Sequence, residues 1–256
     1  MAFVPDSRAY TPNVAADGAV IDAGLRAYML RVYNWMSSGL LLTGIVAYGI
    51  ANTSLINLFY QQVQTARGIG YAPTILGYAA IFAPLVFTMV LSFGVNRLSR
   101  SATQALFWAF AAAMGASIAN IFLIYSGGSI ARVFFITAAT FGAMSLYGYT
   151  TKRDLSRMGS FLIMGLIGIV VASLVNMFIG STALQFAISV IGVLVFVGLT
   201  AYDTQRIKGD YVQFAYAEGT DGAAVRSVYD ALSLYLNFIN LFMLLLQLFG
   251  VRSNNN

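Results

Sequence analysis

The chain has 256 residues, of which 59% are hydrophobic and only 9% are charged. Soluble domains average roughly 25% charged residues, so this composition excludes a soluble enzyme. There is no cysteine and no histidine, which excludes disulfides, Cys/His metal sites and catalysis that depends on a histidine base. We therefore expect neither an enzymatic activity nor a cofactor. The net charge of +5 is typical of basic cytoplasmic loops in a membrane protein and does not indicate nucleic-acid binding.

The N-terminal residues 1–31 are mixed and polar, with two prolines and six charged residues. No apolar run follows a basic start within them, as a cleavable signal peptide requires. We predict a cytoplasmic tail that is disordered to about Gly18, with any helix forming after that point.

Long uncharged runs follow the tail. About 20 apolar residues span a bilayer core of roughly 30 Å as a helix, and backbone groups in lipid must pair within such helices. The stretch Met158–Tyr202 contains no charge over 45 residues, which is the length of two spans joined at Gly180-Ser181-Thr182. The predicted spans are 32–51, 73–93, 102–125, 133–149, two within 158–202, and 231–251.

These spans predict an all-α integral membrane fold, a seven-helix bundle within one domain, residues 32–251. A polar loop at 52–71 and a polar segment at 203–230 connect spans, and residues 252–256 form a short C-terminal tail. With the N-terminus inside, eleven Lys and Arg lie in cytoplasmic segments and three lie outside. This asymmetry predicts a cytoplasmic N-terminus and an external C-terminus.

Asp203 ends the sixth span, one turn before the first cation, Arg206. An ionisable residue inside a helical bundle is a functional-site hypothesis by default. Two interpretations remain open. Asp203 is either an interfacial carboxylate that pairs with Arg206 or solvent, or a partly desolvated carboxylate that faces the bundle and can titrate or hold a cation.

Polar side chains also follow one face of the seventh span. They recur at spacings of 3, 4, 3 and 7 residues and fall within roughly 100° of arc at 100° per residue. Lipid cannot satisfy these groups, so we expect the helix to be central, with Asn237 and Asn240 buried against its neighbours. Alternatively, the stripe joins helices by hydrogen bonds without forming an ion pathway. Its members are Asp230, Ser233, Asn237, Asn240 and Gln247.

Arg97 and Arg100 follow the second span directly. Arginines at this position commonly set topology by contacting lipid headgroups. The other interpretation is that Arg97 reaches Asp203 across the cytoplasmic mouth.

Four sequence stretches carry a resemblance to a known family. They read LSLYLNFINLF at 232–242, TAYDTQRIK at 200–208, RVYNWM at 31–36 and YGYTTKRDLS at 147–156. Together they resemble the Bax inhibitor-1 family, also called the transmembrane Bax-inhibitor-motif family, over essentially Leu25–Gly250.

The resemblance implies a seven-helix fold whose last helix is wrapped by the other six, and a pH-sensitive calcium leak. It further implies two aspartates, on helices six and seven, that share a proton, and an arginine at the end of helix two that latches onto them. Asp203 matches the first aspartate, and Arg97 stands where that arginine would be.

The second aspartate of the family is replaced here by Asn237, which can hydrogen-bond Asp203 but cannot ionise. This departure puts the proton-sharing pair, and tight cation binding, in doubt. Asp230, seven residues earlier on the same face, lies about 10 Å away along the helix axis and could substitute only in part. The predicted pathway residues are therefore Asp203, Asn237, Arg97, Asp230 and Asn240.

Two functions from different classes follow. The first is a pH-modulated leak for calcium or another cation, gated near Asp203. The second is a modulator that binds a membrane-anchored AAA protease, which the resemblance implies for bacterial members and for which the polar tail would be the accessible end. A two-aspartate intramembrane protease is not supported, because this sequence does not supply the second intramembrane carboxylate on a facing helix that such an enzyme needs. The resemblance also implies the bacterial inner membrane as the location.

Overall fold

The computed structural model describes residues 14–65, 68–94, 98–214 and 219–253. Its elements, in chain order, are α1 (Val14–Ala51), α2 (Ile56–Phe59), β1 (Tyr60–Thr65), β2 (Gly68–Pro73), α3 (Ile75–Gly94), α4 (Arg100–Ile118), α5 (Ile121–Ile124), α6 (Gly127–Thr150), α7 (Ser156–Ile179), α8 (Thr182–Phe214) and α9 (Gly219–Phe249). Six helical segments of this described part are long and apolar enough to cross a membrane, namely α3, α4 with α5, α6, α7, α8 and α9. They correspond to the last six of the seven predicted spans.

The first predicted span lies in α1, which is not among these six because Asn34, Ser37 and Ser38 dilute its apolar stretch. With 38 residues, α1 is nevertheless longer than a bilayer core requires. It also changes the picture of the N-terminal tail, since the helix begins at Val14. Leu25 and Met29 are each only 4% exposed, so the second half of the predicted tail packs in the bundle.

The predicted polar loop at 52–71 contains a β-hairpin. Strands β1 and β2 pair antiparallel, with Tyr60 opposite Pro73 and Val63 opposite Gly70. Buried Tyr60 anchors the hairpin to the bundle, because its hydroxyl donates to the Ser117 carbonyl at 3.0 Å. A short strand with three glutamines carries no signal in a search for long apolar runs.

The predicted polar segment at 203–230 is largely helical. Helix α8 continues to Phe214, and α9 begins at Gly219. Ile207 and Val228 are almost fully buried in these extensions, so each extension turns an apolar face to the bundle.

Two other boundaries differ from the prediction. The third span is divided by a break at 119–120 between α4 and α5, and the fourth, predicted as the shortest, is a 24-residue helix that includes Arg132. The hairpin between the fifth and sixth spans is confirmed. Gly180 caps the C-terminus of α7 with a left-handed φ of 67°, a conformation that glycine adopts without the strain a Cβ would add.

Helix α9 is the most buried of the six long apolar segments. In its most apolar stretch 56% of the residues are buried, against 17% for α3 and for α7. It packs against α1, α4, α6 and α8, whereas α3 packs mainly on α4 and α7 mainly on α8. Encirclement of α9 by all six other spans stays a prediction.

The contacts between helix ends define two ends of the bundle. At one end, the first half of α1 meets the first half of α9. There Gln205 on α8 accepts a hydrogen bond from the Leu155 amide at 2.8 Å and donates to the Arg153 carbonyl at 2.8 Å. At the other, the Ser126 amide donates to the Val251 carbonyl at 3.0 Å. We call the first the basic end. Its described cations are Arg26, Arg31, Arg100, Lys152, Arg153, Arg157, Arg206, Lys208 and Arg226.

Candidate functional site

The carboxylate of Asp203 lies between α8 and α9, with 14% of its side chain exposed. Asn237 Nδ2 donates to Asp203 Oδ2 at 2.7 Å, and Arg206 Nη2 lies 3.0 Å from Oδ1. The i, i+3 spacing on one helix brings Arg206 beside Asp203. Both carboxylate oxygens therefore have donors, one cationic and one neutral.

Helix α9 completes this cluster. Ser233 and Asn237 are one turn apart, so they share a face, and Arg206 Nη2 also donates to Ser233 Oγ at 3.4 Å. We call these four residues the Asp203 cluster. Arg206 is the cation beside Asp203 in this arrangement. Arg97, which was predicted to reach it, lies outside the described residues.

A groove of about 670 Å³ adjoins the Asp203 cluster, between α7, α8 and α9. The α7 wall is mostly apolar, and the α9 wall carries the polar stripe from Ser233 to Gln247, about 21 Å of helix at 1.5 Å per residue. At the far end Gln247 Oε1 accepts from Gln185 Nε2 at 2.8 Å and from Ser189 Oγ at 3.0 Å. The polar lining residues are Ser173, Tyr202, Asp203, Arg206, Ser233, Asn237, Asn240 and Gln247.

The two asparagines of the stripe behave differently. Asn237 is 6% exposed and bonds Asp203 across the helix interface, as predicted. Asn240 was predicted to be buried against neighbouring helices, and this is wrong: it is exposed, and Nδ2 donates to the Leu236 carbonyl of its own helix at 2.8 Å. Because its amide finds a partner one turn back, Asn240 can line the groove without one on another helix.

Asp230 is buried, 9% exposed, and pairs with a different helix. Tyr28 on α1 donates its hydroxyl to Asp230 Oδ2 at 2.5 Å. Asp230 is thus held against α1 by Tyr28, whereas Asp203 is bonded to Asn237 and paired with Arg206. Tyr28 was not among the predicted site residues, because it lies in the segment predicted to be a polar tail. The spacing of Leu25, Tyr28 and Met29 is the signal that would have found it.

Hydroxyl groups connect α1, α6 and α8 on the other side of Asp203. The Tyr33 and Ser145 hydroxyls are hydrogen-bonded, and Ser145 Oγ lies 3.0 Å from Thr204 Oγ1. Thr204 also donates to the Thr200 carbonyl at 2.8 Å. Serine and threonine can always bond their own helix, so nothing in their sequence positions distinguishes these residues from structural ones.

One carboxylate at the basic end lies outside the spans. Asp154, between α6 and α7, is fully exposed, and hydrogen bonding from Ser156 holds its pKa below the usual range. Within the described ranges, no group of three or more Asp or Glu side chains could hold a metal ion.

Sequence comparisons with known proteins find a family model and bacterial relatives that cover most of the chain. A family model described as "Inhibitor of apoptosis-promoting Bax1" matches residues 25–254. An uncharacterized protein of Caulobacter vibrioides is 46% identical over 248 residues, 95% of this chain and 97% of its own length. The inner membrane protein YbhL of Escherichia coli K12 is 47% identical over 232 residues, 90% and 94% of the two chains. An uncharacterized membrane protein of Streptococcus pyogenes is 37% identical over 232 residues, 90% and 94% of the two chains.

Proposed function

Because this chain belongs to the Bax inhibitor-1 family of membrane proteins, we propose that it forms a weak, regulated leak for calcium or another cation. The similarity to an inner membrane protein supports the bacterial inner membrane as its location. The observation that carries the proposal is Asp203, a carboxylate held in the wall of a membrane-embedded groove beside the polar face of α9. An intramembrane carboxylate of this kind typically marks an ion pathway.

The arrangement corresponds to a closed state. A cation that reaches Asp203 has to displace Arg206, whose guanidinium lies 3.0 Å from Oδ1. Calcium takes six to eight oxygen ligands, and the described wall of the groove offers one carboxylate, two amides near it and the Ser233 hydroxyl. Weak, transient coordination suits a leak and does not suit a resident metal site.

The pH response should be shallow in the native protein. Two adjacent carboxylates repel and share a proton, which gives a steep response. Here the partner of Asp203 is the neutral amide of Asn237, at 2.7 Å. Its N–H stabilises the ionised carboxylate, as does Arg206. With no second acid beside Asp203, loss of the Arg206 contact becomes the main event of opening.

The topology we propose has seven spans, with α1 as the first, the N-terminus in the cytoplasm and the C-terminus outside. It puts the basic end, and with it the Asp203 cluster, at the cytoplasmic mouth. This assignment rests on the positive-inside rule and on the nine described cations of that end.

Calcium flux into liposomes that contain the purified protein tests the proposal. Asp203→Asn should abolish most of the leak, whereas Asp154→Asn, an exposed carboxylate at the same end, should leave it unchanged. Arg206→Gln should raise the leak, because it removes the cation that occupies Asp203. A native flux that survives Asp203→Asn would contradict the site assignment.

The second function, binding to a membrane-anchored AAA protease, needs no ion pathway. It is supported by the polar sequence of residues 1–13 and by Asn237, which removes the second family carboxylate without affecting a binding role. Co-purification of the full chain with such a protease, compared with a chain that lacks residues 1–13, tests it. This function would be favoured if the full chain slowed degradation of a membrane substrate and the chain that lacks residues 1–13 did not.

A further inference from the structure

A second groove, larger than that at Asp203, opens between α1 and α6. Its volume is about 1010 Å³. Both helices pack on α9, and Phe238 of α9 contributes to the lining. The two grooves share no lining residue, so this one needs an explanation apart from the proposed ion pathway.

The walls of this α1–α6 groove are apolar and face outward. Leu30, Leu41 and Ile45 on α1 and Leu146 on α6 are each more than half exposed although they lie in helices of the bundle. The Tyr33 and Ser145 hydroxyls inside the groove are bonded to each other. An occupant therefore meets hydrocarbon walls with their few polar groups already satisfied.

The two ends of the groove differ in charge. Of the described residues that line it, Arg26 alone is charged, and it lies at the basic end. Tyr149, at the C-terminal end of α6, lies at that same end, because α8 side chains there bond the backbone of Tyr149 and of Arg153. Lys208 Nζ donates to the Tyr149 carbonyl at 2.9 Å and lies 5.1 Å from the centre of its ring. Positive charge is thus concentrated where the groove reaches the membrane surface.

The length of the groove suits a lipid chain. From Leu30 to Ile45, α1 rises about 22 Å at 1.5 Å per residue, more than the depth of one leaflet, about half of the roughly 30 Å hydrocarbon core. Gly44 and Gly142 both line the groove, and a Cβ on either would meet no atom within 4 Å. The absence of side chains at these two positions keeps space open for an occupant.

We propose that the α1–α6 groove binds one anionic phospholipid of the leaflet at the basic end. An acyl chain lies between α1 and α6, and the phosphate lies at Arg26. Basic residues at a membrane surface attract anionic headgroups. The apolar side chains of α1 and α6 pack against the acyl chain. A zwitterionic lipid would make the same apolar contacts in the groove but would be attracted less strongly by the charge of Arg26.

Native mass spectrometry of the full-length protein, released from nanodiscs of equal phosphatidylglycerol and phosphatidylcholine, tests this proposal. The native protein should retain one lipid, preferentially phosphatidylglycerol. Gly142→Leu fills the groove and should reduce retention of both lipids at least tenfold. Gly168→Leu, at an exposed α7 glycine whose Cβ would also be unhindered, should match the native protein.

Headgroup choice is tested separately at Arg26. Arg26→Gln should keep a retained lipid but reduce the preference for phosphatidylglycerol about fivefold, the factor that corresponds to about 1 kcal/mol per basic residue at the surface. Arg157→Gln, an exposed arginine at the same end, serves as the control and should keep the preference.

The outcomes that overturn the proposal are distinct. Equal retention in Gly142→Leu and Gly168→Leu would show that lipid binds elsewhere, and a preference unchanged in Arg26→Gln would remove the headgroup site. If the native protein is a dimer that Gly142→Leu disrupts, the groove is occupied by a second copy of the chain and not by a lipid. Gly44→Leu repeats the test from the α1 wall if Gly142→Leu does not fold.

Discussion

At the scale of single residues, the neutral amide of Asn237 sets the chemistry of Asp203. The amide supplies a hydrogen bond at 2.7 Å and no charge, so the only strong electrostatic partner in the cluster is Arg206 at 3.0 Å. A carboxylate with one cationic and one neutral donor is stabilised in its ionised form. Proton sharing, which the family resemblance implies, has no second acid to share with at this site.

Replacing Asn237 with Asp should create that second acid. Two carboxylates within hydrogen-bond distance repel strongly, and the pair then takes up a proton near neutral pH. We expect calcium flux in liposomes to depend more steeply on pH between about 6 and 8. The ratio of the flux at pH 6 to the flux at pH 8 should differ about tenfold from that of the native protein. Asn240→Asp is the matched control, because Asn240 lies in the same groove but bonds its own helix. Equal pH profiles for the two variants would show that the Asp203–Asn237 contact does not govern the leak.

A second residue-scale prediction concerns Tyr28. Tyr28→Phe removes the hydroxyl that donates to buried Asp230 at 2.5 Å, and an unsatisfied buried acceptor costs about 1–3 kcal/mol. The free energy of unfolding should fall by that amount, which thermal melting of the detergent-solubilised protein can measure. Tyr147→Phe, at an exposed tyrosine, should stay within about 0.5 kcal/mol of the native protein. If both variants melt alike, Asp230 finds another donor.

At the scale of elements, small residues set how closely the helices approach. A Cβ on Gly148 of α6 would overlap the Ala201 carbonyl of α8, whereas a Cβ on Gly142 of the same helix would meet no atom within 4 Å. Gly148 is thus required for the α6–α8 contact, and Gly142 is not. Small residues allow such close approach between helices in membranes.

Alanine at the two glycines of α6 should therefore act with opposite sign. Gly148→Ala forces α6 away from α8 and should lower the free energy of unfolding by about 1–3 kcal/mol. Gly142→Ala adds helix propensity without a clash and should raise it by up to about 1 kcal/mol. Melting temperatures of the two variants, measured in one detergent, check the prediction. A loss of stability at Gly142 as large as that at Gly148 would contradict this packing.

Run length and charge were enough to predict the last six spans and the α7–α8 hairpin at Gly180, because the hydrocarbon core imposes a minimum apolar length. They could not predict the burial of Leu25 or the helical extension of α8 through Ile207. Both lie on amphipathic turns at a membrane surface, where charged residues interrupt the run while one face still packs. The Asp203–Asn237 contact was predicted through the resemblance, but the Tyr28–Asp230 bond depends on a tertiary contact between distant segments.

At the scale of the whole molecule, the number of spans decides which end of the bundle faces the cytoplasm. Six segments in the described chain qualify as spans by length and hydropathy, and α1, which is interrupted by polar residues at its middle, does not. If α1 lay on the surface, the two termini would be on the same side. The segments at 152–157 and 203–230 would then face outward with the N-terminus inside, against the positive-inside rule.

A reporter that is active only in the cytoplasm distinguishes the two counts. Fused after Met1 or inserted within residues 152–157, it should be active. Fused after Asn256, it should be inactive, because seven spans put the termini on opposite sides. The physical reason is the excess of basic residues at one end, eleven Lys and Arg in the predicted cytoplasmic segments against three outside, which opposes their transfer across the bilayer. The control uses the same fusion positions with a reporter that is active only outside the cytoplasm. It should give the reverse pattern, which shows that an inactive fusion was nevertheless expressed. Activity of the cytoplasmic reporter at both termini would establish an even number of spans, remove α1 from the membrane and place the Asp203 cluster on a different side from the one proposed.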